Sequence, residues 1–349
     1  MCVQMTDTRP PYDSFMLVSF GGPEGPDDVM PFLENVLRGK PVPRQRMLEV
    51  AEHYQQFGGV SPINEQNRQL LVAIKDEFKA NDIELPVYWG NRNWDPYFAD
   101  TLRQMQADGR KRTLAFFTSM FSSNSGCRQY RENLAEACAE VGGNAPSVEK
   151  VRMGFNHPLF VETISDSVKA AAESIGADVK KTPVMFTAHS IPMLMAENSD
   201  YVKQLMETCR LVAEMCGAEN WSLVYQSRSG PPQQPWLEPD VCDSIESMDK
   251  ASKLDSLIIV PIGFISDHME VLFDLDHEAS DVCKARNIKM ARAATAGTAP
   301  KFVTMIRQLV EERLNPSAEK PALGNLGPWH DVCPVDCCLY NPPQRPRPT

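Results

Sequence analysis

The chain has no stretch long and apolar enough to span a bilayer. Its longest apolar run, "SLIIVPIGFI", is about half the roughly 20 residues a spanning helix needs, and Pro261 and Gly263 interrupt it. Positive charge is also in short supply. Lys and Arg together number 35 against 46 Asp and Glu, leaving a formal charge of −11, which excludes a general nucleic-acid or anionic-membrane surface as partner. The opening "MCVQMTDTRPPYDS" lacks the apolar core and cleavage site of a secretory signal, so a cytoplasmic location is expected. Ten cysteines in 349 residues are too few for a disulfide scaffold. Seven of them are scattered, and Cys333, Cys337 and Cys338 crowd the end. Neither "SFGGPEGP" nor "FGGVSPINEQNR" has the spacing of a nucleotide-binding loop, so tight turns are the plainer reading.

What is present is globular: 42% hydrophobic and 23% charged residues. Six short runs of near-continuous apolarity, at 15–23, 85–93, 112–123, 182–192, 221–232 and 254–264, read as buried parallel strands. Segments with helical spacing separate them, including 157–176, 198–216, 267–285 and 299–314. The expected class is therefore α/β: two Rossmann-like doubly wound domains with parallel sheets and a cleft between them. The boundaries are 1–150 and 151–315, followed by an extension, 316–349, that carries the cysteine group and whose end, "NPPQRPRPT", should fray. Ligands in such sheets collect beyond the carboxyl ends of the strands, where "SFGGP", "GNRNW", "SSNSGCRQY", "TAHSIP", "QSRSGPPQQPW" and "GFISDHME" fall.

Three groups stand out there. His189 ends an apolar strand just before a Pro-bearing turn. It reads either as a structural histidine or as a proton acceptor or metal ligand. In "GFISDHMEVLFDLDHEA", Asp267, Glu270, Asp274 and Glu278 share one helical face within about 50° of its centre line. Because the remaining positions are mostly apolar, much of this helix should be buried, and buried carboxylates need cations or protons. A metal path suits them, with imidazole plus carboxylate favouring iron or zinc; a solvated face is the alternative. Third, "CPVDCC" offers three thiols that need a fourth donor from elsewhere, for zinc, for an iron–sulfur cluster, or for nothing. The basic loop "RGKPVPRQR" reads as a solvated segment or as a rim for carboxylates of an anionic ligand.

Taken together, "SFGGPEGPDDVMPFLENVLRGKPVP", "HYQQFGGVSPIN", "YWGNRNWDPY", "FTAHSIP", "QSRSGPPQQPWLEPD" and "PIGFISDHMEVLFDLDHE" resemble the successive motifs of the ferrochelatases, most closely those of actinobacterial type, over residues 14–315. The resemblance implies an enzyme, a lyase that inserts Fe²⁺ into a porphyrin in haem biosynthesis, with two Rossmann-like domains around a porphyrin cleft. It implies His189 and Glu270 as catalytic residues facing one another across the macrocycle, and a metal route His189, Glu270, Asp274, Glu278. Phe20, Arg38, Ser61 and Tyr130 match porphyrin-binding positions; some bacterial members have a tyrosine where Phe20 stands. A 2Fe–2S cluster on Cys333, Cys337, Cys338 and an internal cysteine is also implied, with Cys127 the first match and Cys138 the second. The short basic loop favours coproporphyrin III over protoporphyrin IX. Partners are then porphyrin and ferrous iron, with transient contact to neighbouring haem-pathway enzymes compatible with a soluble protein. Two rival readings are a cobalt or nickel chelatase of this fold and a non-catalytic tetrapyrrole or metal carrier.

Overall fold

The structure, a computed structural model, describes residues 11–340 except 41 and 231–232; the expected fraying of 341–349 lies outside the described residues. Among the described residues, eight strands form two four-stranded sheets. The first contains β1 (Ser14–Ser19), β2 (Val87–Asn91), β3 (Arg112–Phe117) and β4 (Ser147–Lys150), in the order β2-β1-β3-β4. The second contains β5 (Val184–His189), β6 (Trp221–Gln226), β7 (Ser256–Val260) and β8 (Lys289–Arg292), in the order β6-β5-β7-β8. Every pairing is parallel. The two halves therefore repeat one permutation. In each, the chain leaves the first strand towards one edge and then crosses back to the other, so the switch point lies beside β1 and beside β5.

β1 and β5 read as unbroken apolar runs because both faces are covered. Phe15 and Leu17 share a core with Ile74 and Phe78, while Met16 and Val18 meet Phe98, Leu102 and Met105 on the opposite face. Of the helices, α1 (Val29–Val36) and α2 (Arg44–Gln56) form a cap beside the first sheet, and α3 (Ile63–Ala80) backs it. One core runs from α3 through α6 (Pro158–Ser174) to α12 (Pro300–Leu314), joining Ile74, Phe160, Phe302 and Leu309. At its edge Arg152 lies fully buried against Glu312 of α12, donating through Nε at 2.6 Å and Nη2 at 2.8 Å, with a further bond to the Pro321 carbonyl at 2.8 Å.

β4 and β8 were not among the strands read from the sequence. Both are four-residue edge strands, "SVEK" and "KMAR", too short and polar to show an apolar run.

Candidate active site and thiol centre

His189 is the last residue of β5, the switch strand of the second sheet, and Glu270 lies ten residues past the end of its neighbour β7. The switch-point crevice is thus bordered by these two side chains. His189 Nε2 stands 3.5 Å from Glu270 Oε2, both side chains being partly open to solvent. On the other ring edge Nδ1 contacts the Ser190 carbonyl oxygen. A carbonyl only accepts, so Nδ1 carries the hydrogen in the neutral ring and Nε2 keeps its lone pair on the crevice side. The buried Tyr201 hydroxyl donates to the His189 carbonyl at 3.1 Å, fixing the strand end beneath.

The acidic helix begins as a short α turn, Met269–Val271, continues as a π-helical segment, Leu272–Ala279, and returns to α winding at Ser280–Ala285. Four-residue steps over-rotate by about 40° in an α-helix and under-rotate in the wider π winding, so the mixture holds Glu270, Asp274 and Glu278 in line. Long π segments are rare and concentrate at functional sites. Glu270 opens to the crevice, Asp274 is half-buried behind it, and Glu278 reaches the outside. Asp274 accepts from Gln226 Nε2 at 3.2 Å and from the Ser227 hydroxyl. Burial nevertheless pushes its carboxyl up to about 7; the nearby Glu270 and Glu278 charges add to that, and the Ser227 and Gln226 bonds oppose it. Burial also raises Glu278, which His53 and His277 counteract.

Asp267 departs from the expected file. It precedes the helix and is held by Arg292 through a fork at 3.0 and 3.1 Å, with Thr295 at 3.3 Å. Its charge is already matched, which removes it from the acidic face.

The cap closes over this helix. Met269 packs among Phe32, Leu33 and Tyr54, with Phe20 and Trp94 at the edge. His53 of α2 stacks on Phe273 at 4.0 Å and 10°, and His277 lies parallel to the same ring at 5.6 Å. Burial, then the Glu270 charge, hold the Tyr54 hydroxyl protonated far above its usual range.

The other residues singled out in the sequence are spread along the first sheet's carboxyl edge. Phe20 is half-buried with its ring 6.1 Å from Phe32. Ser61 is buried, its N–H bonded to the Pro23 carbonyl at 2.9 Å, and a side chain at Gly22 would strike it. Tyr130 is buried between Phe98 and Phe117. Arg38 is exposed and donates to Asn35 at 2.7 Å.

Sequence reading missed three residues here. Arg92, in the "GNRNW" loop, lies 5.7 Å over the Tyr130 ring and donates only to side-chain amides, Asn133 at 2.6 Å and Gln129 at 2.9 Å. Partial desolvation and then Arg92 itself lower the Lys40 amine, which marks two like charges near one another. His268 lies beside His189 in the crevice; desolvation lowers it, Glu270 opposes that, and the His189 ring adds to it. His330 is the third, considered with the thiols.

The tail returns to the first half of the chain. Asn156 Nδ2 donates to the Leu323 and Gly327 carbonyls at 3.0 and 2.9 Å, Trp329 meets Phe155 at 5.7 Å, and Arg128 Nη1 donates to the carbonyls of Val335 and Cys337 at 2.9 and 2.8 Å. This docking brings Cys333, Cys337 and Cys338 towards Cys127, which is buried in the π-helical turn Asn124–Arg128 ahead of α5 (Gln129–Val141). The Cys127 thiol hydrogen-bonds Cys333, lowering the Cys333 thiol against the effect of burial, with Lys150, His330 and Arg131 assisting. Cys337 and Cys338 lie 3.3 Å apart at sulfur. Cys138 is outside the group, its sulfur directed at the Pro146 carbonyl. The donor atoms of His330, Cys333 and Cys337 all lie within 4.8 Å of one another.

Two parallel sheets of one permutation give an α/β protein of the fold seen in SirB from Bacillus subtilis (TM-score 0.53, 11% identity, covering 86% of this chain and 97% of that one) and in CbiX (TM-score 0.50, 15% identity, 86% and 100%). At those identities only the fold is shared. Sequence carries the assignment further: the ferrochelatase family profile matches residues 12–314. A ferrochelatase of Rhodopirellula baltica is 72% identical over 337 residues, 97% of this chain and 96% of that protein, and a coproporphyrin III ferrochelatase of Streptomyces coelicolor is 48% identical over 361 residues, 97% and 95%. The chain belongs to the ferrochelatase family, enzymes that insert iron into a porphyrin.

Proposed function

We propose that the protein inserts Fe²⁺ into coproporphyrin III, with His189 as proton acceptor and Glu270, Asp274 and Glu278 as the route by which the metal arrives. The observation that carries this is the His189–Glu270 pair at the switch point, with Nε2 3.5 Å from the carboxylate oxygen and Nδ1 on the Ser190 carbonyl. Residues 1–150 and 151–315 then form the two walls of the porphyrin cleft, in a cytoplasmic protein. Among the described residues no helix is long and apolar enough to cross a membrane.

Insertion requires that two pyrrole protons leave while Fe²⁺ sheds water. A neutral imidazole fixed at Nδ1 takes a proton at Nε2, and the resulting imidazolium is stabilised by Glu270 beside it. Glu270 also passes the proton outwards or receives the metal, since a carboxylate binds Fe²⁺ and H⁺ at the same oxygens. A macrocycle in contact with a group on each face needs those groups on the order of 7 Å apart, twice a van der Waals contact. His189 and Glu270 must therefore separate on binding, and the cap that clasps the helix through His53 and Phe273 is the element that yields.

Metal transfer should depend on pH through Asp274. Its carboxyl is raised to about 7, so it is protonated below that value and anionic above it. Only the anion holds Fe²⁺. Accordingly kcat/KM for Fe²⁺ should rise as pH increases through about 7, and Asp274→Asn should flatten that limb; an unchanged profile in the variant would remove Asp274 from the route.

Substrate choice follows from the cationic patch. Arg38 and Arg92 donate to side-chain amides, Lys40 lies near Arg92, and coproporphyrin III brings two more propionates than protoporphyrin IX. One further charge-assisted hydrogen bond is worth about 1.5–3 kcal/mol, so anaerobic turnover should favour coproporphyrin III by at least tenfold in kcat/KM. Equal rates would contradict this, and binding without metallation would make the protein a carrier.

The tail centre draws its ligands from the group Cys127, Cys333, Cys337 and Cys338 and holds a 2Fe–2S cluster. Soft sulfur donors, one of them biased towards thiolate by its Cys127 neighbour and then by Lys150, suit iron in that form. A bound cluster supplies one-electron chemistry. The chain's own part is to pin the tail to the first half through Cys127, Asn124 and Arg128. Freshly purified protein should be coloured and contain iron and sulfide.

A further inference from the structure

We infer that Lys150 is the counter-ion of the tail's thiol centre. Its buried ammonium, together with the Arg131 guanidinium, offsets the negative charge that Cys127, Cys333, Cys337 and Cys338 carry when they hold metal. It thereby sets how tightly metal is kept and how readily the centre accepts an electron. The inference rests on the reading of the tail as a metal-holding centre.

Burial is the first ground. Lys150 is 8% exposed, and lysine is almost never buried to that degree unless it is paired. Among the described residues its Nζ makes one hydrogen bond, to the Val151 carbonyl at 3.4 Å, and no carboxylate pairs with it. The neighbouring acids are committed elsewhere. Glu149, one residue earlier and so on the opposite face of β4, holds Arg112 and Arg313 at 2.8 Å each. Glu132 pairs with Arg128 at 2.7 Å, and Asp331 with Lys320. A buried cation without an anion is costly, so the anion has to come from what Lys150 faces.

Position is the second. Lys150 ends β4, where it pairs with Ala115 of β3, so it stands at the carboxyl edge of the first sheet. The turn Asn124–Arg128, which carries Cys127, follows the carboxyl end of β3 at the same edge, and the tail is held there by Arg128. What Lys150 faces is therefore sulfur. The Cys333 contact and burial raise the Cys127 thiol, and Lys150 opposes them; Cys127 lowers the Cys333 thiol, burial resists, and Lys150 assists. Burial likewise lifts Cys337 and Cys338, and Arg131 opposes it at both. The Arg131 Nε is itself buried with no hydrogen-bond partner among the described residues. In a chain of net charge −11, two such cations turned towards four thiols are placed for an anion.

Thiols lose their protons when they bind metal, so a centre of four thiolates carries net negative charge, which one further electron deepens. A fixed cation close by stabilises the more negative state. It therefore favours the loaded centre over the empty one and the reduced centre over the oxidised one. In the metal-free protein the same cation is a burden, because its anion is missing. Removing the charge should thus act with opposite sign on the two forms.

Full-length wild type, Lys150→Met and Lys150→Arg, purified anaerobically and assayed for iron and sulfide, test this. In a redox titration followed by EPR, Lys150→Met should lower the reduced-to-oxidised ratio at a fixed potential by at least about tenfold, a midpoint shift of about 59 mV for one electron. Lys150→Arg, which keeps the charge, should restore it. The same proteins are then stripped of metal. Unfolded in urea, metal-free Lys150→Met should be as stable as wild type or more so, and it should bind Co²⁺, in competition with a chelator, at least about tenfold more weakly. An unchanged midpoint or an unchanged Co²⁺ affinity overturns the inference. So does a Lys150→Met protein destabilised alike with and without metal, the signature of a merely structural lysine. Absence of iron and sulfide from wild type refutes the 2Fe–2S reading alone; the Co²⁺ affinities then decide on Lys150, and a wild type that binds no Co²⁺ overturns both.

Discussion

Replacing His189 with alanine should lower the turnover of Fe²⁺ insertion by about 100- to 10,000-fold, the range in which a positioned general base contributes, while porphyrin affinity changes by no more than a few-fold. The side chain sits at the end of β5 with its ring edge on the Ser190 carbonyl and supports no core packing, so its loss removes a proton acceptor and leaves the crevice standing. His189→Gln sharpens the test, because an amide keeps polarity and approximate volume without a basic nitrogen. If both variants retain wild-type turnover, or if both lose porphyrin binding as well as rate, His189 is not the base. Absorbance of the metalloporphyrin formed under anaerobic conditions, alongside fluorescence titration of the free porphyrin, separates the two effects.

Arg152→Met should destabilise the fold by about 3–5 kcal/mol, the cost of leaving one partner of a buried ion pair without the other. Arg152 and Glu312 have side-chain exposures of 0% and 2%, and two guanidinium nitrogens donate to the carboxylate. Removing the cation strands Glu312 inside the α6–α12 core. The double variant Arg152→Met, Glu312→Leu should recover most of the loss, since an apolar pair of similar volume has no charge to desolvate. Equilibrium unfolding in urea measures both. A single variant as stable as wild type would mean that water reaches Glu312. Because Arg152 also holds the Pro321 carbonyl, at the start of the tail, the single variant should in addition loosen the thiol centre.

Much of this arrangement was legible because burial writes itself into sequence. β1, β3, β5 and β7 are covered on both faces and read as unbroken apolar runs, and His189 stands out at the end of one of them. The line of Glu270, Asp274 and Glu278 was visible from four-residue spacing. Its π winding was not, since i→i+5 bonding leaves no compositional mark distinct from an α-helix. Asp267, three residues before Glu270, was placed on the same face but belongs to a different interaction, because its partner Arg292 comes from β8, a strand too short to be read. The residues that needed tertiary structure were those whose role depends on missing or distant partners. Arg92 is unremarkable in "GNRNW" until its amide-only bonds are seen. His330 is one of six histidines until the tail folds it onto Cys333 and Cys337. Cys127 was preferred over Cys138 by family resemblance; in the fold the π-helical turn that carries Cys127 meets the tail, whereas the Cys138 sulfur faces the Pro146 carbonyl.

The claim on which all else depends is that a flat macrocycle enters between one imidazole and one carboxylate. A crystal structure of the protein with coproporphyrin III bound tests it most directly. The account predicts His189 and Glu270 on opposite faces of the ring, parted from 3.5 Å to about 7 Å or more, with the His53–Phe273 stack opened. A porphyrin lodged elsewhere, with His189 and Glu270 still paired, would contradict it.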